Sequence, residues 1–123
     1  MYHRMLVPLD GSELAETVCT YAKELAGRLD LDVILLHVSG PATAGLVPME
    51  LAYIDHMAEI VRRQVREVQK ATEQDQKSKP VKVTGELGVG YSAEEIIRFA
   101  EHNAIDLIVR ASHGRSGLKR WTS

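Results

Sequence analysis

The feature that most constrains this chain is an alternation of short apolar runs with segments whose apolar residues recur at helical spacing. Met5-Leu6-Val7, Leu31–Val38 and Leu107-Ile108-Val109 are continuous apolar runs, the pattern of strands buried on both faces. Between the first two, Leu14, Val18, Tyr21, Ala22, Leu25 and Leu29 form a stripe at helical spacing, with Glu16, Lys23, Glu24 and Arg28 off it. Pro8-Leu9-Asp10-Gly11-Ser12 supplies the turn before that helix. Ser12 suits its N-cap, and Glu13 and Glu16 suit its positive end. Gly27 sits near its end. Strand, turn, helix, strand in this order is a right-handed βαβ unit.

The rest of the chain extends the alternation. Ser39–Pro48 is rich in Gly, Pro and small residues and reads either as a rim or lid segment or as a plain connector. Ile54, Met57, Val61, Val65, Val68 and Thr72 predict a long helix from about Met49 to Lys77, its mixed charges forming a solvated face. Lys77-Ser78-Lys79-Pro80 ends it. Val81–Leu87 alternates apolar and polar residues, unlike the other strands, and is expected at a sheet edge. After Gly88-Val89-Gly90, Ser92 and Glu95 have the spacing of a capping box. The helix they open carries Ala93, Ile96, Ile97 and Ala100 on one stripe and is closed by Asn103. The last apolar run follows. The order β-α-β-α-β-α-β implies an α/β, doubly wound parallel sheet with helices on both faces. Ligands of such sheets sit beyond the carboxyl ends of the strands, where strand order switches. Asp10, Val38 and the Arg110–Gly117 loop all belong to that edge. The loop carries Gly114 and Gly117 with Arg115, Lys119 and Arg120 around them, a common setting for an anion or nucleotide.

A chain of 123 residues is expected to form a single domain. Its net charge of −2 gives no general attraction to nucleic acid or to an anionic membrane. No run reaches the roughly 18 apolar residues of a membrane span, no signal-peptide pattern opens the chain, and Cys19 has no internal disulfide partner. A cytoplasmic location is the expectation. Cys19 reads as a packing residue. His37 reads as a hydrogen-bonded residue at a strand end, one that could also approach His113. No His, Cys or carboxylate spacing forms a metal set. Ser116-Gly-Leu-Lys119 has the spacing of some acyl-transfer enzymes, but the partner motifs are absent.

Met5-Leu-Val-Pro-Leu-Asp-Gly-Ser12, the strand ending Leu36-His37-Val38, the helix start Ala93-Glu-Glu-Ile-Ile97 and Asp106-Leu-Ile-Val109 followed by Ser112-His-Gly-Arg-Ser-Gly117 recur in this order in the universal stress protein family. The chain resembles that family over its whole length. The resemblance implies a Rossmann-like sheet of strand order 3-2-1-4-5 and a cytoplasmic, non-catalytic regulatory domain that forms homodimers and binds ATP with Mg2+. It also implies that Pro8 and Asp10 flank the adenosine, that Val38 meets the adenine edge through its backbone, and that Gly114, Arg115, Ser116 and Gly117 line the phosphates. Asp10 is equally well read as a turn and cap residue.

ATP-binding members carry Gly-x2-Gly-x9-Gly-Ser/Thr after the fourth strand. Here Ala111 holds the first glycine position, behind Arg110 where the family has an apolar residue, and the closing Gly-Ser would fall just past Ser123. The domain over residues 1–123 is therefore expected to be C-terminally incomplete, lacking the last helix and fifth strand and leaving the fourth strand as a bare edge. An alanine forced to positive φ would cost about 1–2 kcal/mol. Arg110 would either pair with a phosphate or fill the pocket. These departures define the alternative, an interaction module without ATP that works through dimerisation. A slow ATPase ranks last, because no general base or metal-binding carboxylate cluster stands out at the mouth.

Overall fold

The computed structural model describes residues 3–9, 14–40, 47–72, 80–111 and 118–122. Its centre is the Met5-Leu6-Val7 run, which lies in β1 (Arg4–Pro8) and is fully buried. Leu6 is paired on one side with Ile34 of β2 (Asp32–Ser39) and on the other with Ile108 of β4 (Leu107–Ala111), both parallel. β3 (Val83–Val89) pairs with the outer side of β2, also parallel, from Val33↔Val83 to Ser39↔Val89. The sheet order is β3-β2-β1-β4-β5. This is the doubly wound order expected, with the alternating segment at the edge.

The connecting helices divide between the faces. Successive side chains of a strand point to opposite sides, so the continuous apolar runs feed two cores. Met5, Val7, Val33, Leu35, Leu107 and Val109 pack under α1 (Leu14–Leu29) and α2 (Val47–Ala71). Leu6, Leu36 and Ile108 pack under Ile96 and Ala100 of α3 (Ser92–His102).

Several local expectations are corrected. Tyr21 and Leu29 are exposed, because the inward stripe of α1 is Val18, Cys19, Ala22, Leu25 and Ala26, at strict i, i+3/i+4 spacing. Ile97 is exposed for the same reason, since α3 turns only Ile96, Phe99 and Ala100 inward. Ser92 is not an N-cap. Tyr91 takes that position without a side-chain cap, and Glu95 is engaged by Arg98. Asn103 does close α3, and its Nδ2 donates to the Phe99 carbonyl at 2.8 Å.

The fourth strand is not a bare edge. β5 (Leu118–Thr122) pairs with it antiparallel, from Ala111↔Leu118 to Leu107↔Thr122. An antiparallel partner needs only a short connection, whereas a parallel one needs a crossover, so the chain meets the exposed amides and carbonyls of β4 from its nearest downstream segment. Ala111 is extended within β4, and the cost of a left-handed alanine does not arise.

Interelement contacts fix the frame. Gly27 lies inside α1 and serves close helix approach: a Cβ there would stand 2.4 Å from Val68 Cγ1 of α2. The turn after α1 is made by Asp30 at φ 54, whose Oδ1 accepts from Nε2 of the buried Gln69 at 2.8 Å. Arg62 of α2 donates through Nη2 to the Val83 carbonyl at 2.5 Å and through Nη1 to Glu59. Where β1 begins, Asp106 Oδ2 accepts from the amides of His3 and Arg4 at 2.8 and 2.9 Å. These bonds hold its carboxyl below the usual aspartate range.

Two predictions follow from these contacts. Gly27→Ala should lower the urea midpoint, since overpacking of about 1–3 kcal/mol outweighs a helix-propensity gain of about 1 kcal/mol. In a Val68→Gly background the same substitution should cost less, which a double-mutant cycle reads directly. Asp106 has a depressed folded pKa, so its contribution is complete above the unfolded value of about 3.9 and is lost as pH falls through the folded value. Asp106→Asn should therefore be less stable than the parent near neutrality, and the gap should close on acidification below about pH 4, measured by denaturation across pH.

Candidate functional site

The carboxyl ends of β1, β2 and β4 lie side by side, and the strand order switches at β1, flanked by β2 and β4. Leu9 N–H donates to the Leu36 carbonyl at 2.8 Å, so the chain stays joined to β2 one residue past Pro8. Because amides alternate in direction along a strand, the nitrogen of Pro8 faces β4. Proline has no N–H to donate there. The β1–β4 register is recorded at Met5↔Leu107 and Leu6↔Ile108, before Pro8 is reached. A proline at this point leaves no orphan donor where that pairing stops.

Pro8 at the end of β1, Val38 near the end of β2, and Arg110 and Ala111 at the end of β4 are thus brought to one edge, as the sequence indicated. Val38 is half-buried against the α3-side core. Arg110 is exposed. Asp10, Gly114, Arg115, Ser116 and Gly117 lie outside the described residues, as does His113.

At the carboxyl ends of β1 and β2 stands a polar cluster that the sequence shows only in part. His37 Nδ1 lies 2.8 Å from the Leu9 carbonyl, and Nε2 lies 2.6 Å from Glu50 Oε2, in the first turn of α2. The other oxygen, Glu50 Oε1, accepts from Ser39 Oγ at 3.0 Å. The Tyr53 ring meets the imidazole edge-on at 5.8 Å. His37 and Glu50 side chains are 13% and 15% exposed, and Ser39 is 1% exposed, so the cluster is largely shielded from water. His37 as a bonded strand-end residue was legible. Glu50 and Ser39 were not, and the available signal was an acid in the first turn of the helix that follows the histidine strand. Among the described residues no group of three or more His, Cys, Asp or Glu is arranged to hold a metal ion.

The family model for the universal stress protein family matches residues 1–123. The chain belongs to that family. Universal stress protein MJ0531 of Methanocaldococcus jannaschii is 28% identical over 120 residues, covering 98% of this chain and 70% of that protein. The solved structure of MJ0577, from the same organism, is 32% identical and superposes with a TM-score of 0.57 over 97% of this chain and 81% of that one. A universal stress protein solved in complex with cAMP shares the fold at 18% identity, with a TM-score of 0.55 over 87% of this chain and 70% of that one. The Rossmann-like α/β architecture of this universal stress protein is common to these structures.

At the same edge, the Gly90 amide donates to the Ser39 carbonyl at 2.9 Å, tying the end of β3 to the end of β2. Gly90 holds φ 139, and a Cβ there would meet Glu95 Oε1 at 3.0 Å. Gly90→Ala should therefore destabilise this universal stress protein by about 1–3 kcal/mol, read as a lower denaturant midpoint. Gly40, which has open space around it, should tolerate alanine with a much smaller change.

Proposed function

We propose that this universal stress protein is a non-catalytic regulatory domain that takes an adenine nucleotide, ATP with Mg2+, at the carboxyl ends of β1 and β4. The observation that supports the reading is the switch in strand order at β1, with the carboxyl ends of β2 and β4 on either side, the place where doubly wound sheets take their ligands. Exposed Arg110 stands at the end of β4 and suits a phosphate as a charge-assisted donor. The cAMP complex of a protein with this fold supports the nucleotide class. Pro8 and Asp10 would flank the adenosine and the Val38 backbone would meet the base. Ala111, Gly114, Arg115, Ser116 and Gly117 would lie on the phosphate side. The chain would act in the cytoplasm as a homodimer. No helix among the described residues is long and apolar enough to cross a membrane.

Ala111 in place of the family's first glycine favours a second reading, an interaction module that has given up nucleotide. Calorimetric titration with ATP and magnesium, with AMP as control, separates the two. Micromolar binding, about −8 kcal/mol, is expected. Arg110→Ala should weaken ATP by about tenfold while leaving AMP less affected. Absence of heat at high ATP concentration would transfer the function to the interaction module.

A further inference from the structure

The His37–Glu50–Ser39 cluster lies at the carboxyl ends of β1 and β2 and is bonded to the backbone there. The Leu9 carbonyl can only accept, so Nδ1 of His37 carries a proton and donates it there. The other ring nitrogen, Nε2, faces Glu50 Oε2 at 2.6 Å. Ser39 Oγ donates to the other oxygen of the same carboxylate, Glu50 Oε1. A single carboxylate on α2 reaches the end of β2 directly through Ser39, and the end of β1 through His37. Ser39 in turn receives the Gly90 amide on its carbonyl, which extends the tie to β3.

We propose that Glu50 is a positioning residue for the strand-end mouth, holding Leu9 and Ser39 so that the backbone on either side of them presents a fixed edge to the nucleotide. The role rests on the nucleotide reading given above. Burial strengthens it, because in a shielded setting each of these bonds is costly to leave unmade. Conformations in which α2 begins elsewhere are penalised, and the edge is preorganised before a ligand arrives.

The test uses the full chain and its Glu50→Ala and Glu50→Gln variants, titrated calorimetrically with ATP and magnesium and followed by amide NMR. Glu50→Ala, folded by circular dichroism, should bind ATP about tenfold more weakly, the scale of one charge-assisted hydrogen bond. Its amide signals at Leu9, Ser39 and Gly90 should shift. Glutamine can accept from Ser39 through its oxygen and donate to an unprotonated His37 Nε2 through its amide, so Glu50→Gln should restore both readouts to within about twofold. A folded Glu50→Ala that binds as the parent does, with strand-end amides unmoved, overturns the proposal. If the parent takes no ATP, the nucleotide reading fails, and the amide shifts alone decide whether Glu50 positions the edge. Should Glu50→Ala not fold, Ser39→Ala removes one arm only; weaker binding by about threefold is expected, and unchanged binding overturns the role.

Discussion

The pairing of β1 on both sides is the constraint on which the remaining structure depends. A strand hydrogen-bonded left and right, with helices over both faces, has no contact with water along Met5-Leu6-Val7. Every backbone group there must be satisfied by β2 or β4, so the registers Leu6↔Ile34 and Leu6↔Ile108 are tightly specified. A slip by one residue would turn Leu6 from the α3 side to the side of α1 and α2. The carboxyl ends of β1, β2 and β4 inherit this constraint, because the same registers fix where they lie.

The sequence was informative where a pattern carries its own geometry. Continuous runs against the alternating Val81–Leu87 segment were enough to separate interior strands from an edge strand, and β3 is that edge. Val38 and Arg110 could be assigned to one end of the sheet because parallel strands joined by helices all point the same way. The misses have physical causes too. Tyr21 and Ile97 fit a helical stripe by spacing, but the arc that faces inward is set by where the neighbouring helix or strand lies, which a single segment does not encode. The place of Gly27 was visible, but its reason was not. The reason is Val68, far along the chain on another helix. β5 was missed because a partner strand of Lys, Arg and Trp beside glycines carries little apolar signal, and its pairing is governed by the open edge of β4.

The candidate site divides along the same line. Its frame is parallel strand ends and was legible. Its fastening is a carboxylate contributed from the next helix, whose first turn brings Glu50 back to Ser39 and His37 at the end of the strand just before it. Pairings between a strand terminus and the first turn of a following helix leave no periodic trace in a sequence. They appear only once register and helix phase are both fixed.

The reach of Arg62 to Val83 has a consequence for how the molecule behaves among its own copies. The Lys82 carbonyl is turned toward β2, where it accepts from Val33, so by alternation the Val83 carbonyl faces the outer side of the sheet. This is the first acceptor that an approaching strand would seek on an exposed β-edge. The Arg62 guanidinium already occupies it, itself held by Glu59. A strand adding here would have to displace a bonded cation before forming its first rung. At this position, the start of β3, the outer edge is guarded by charge.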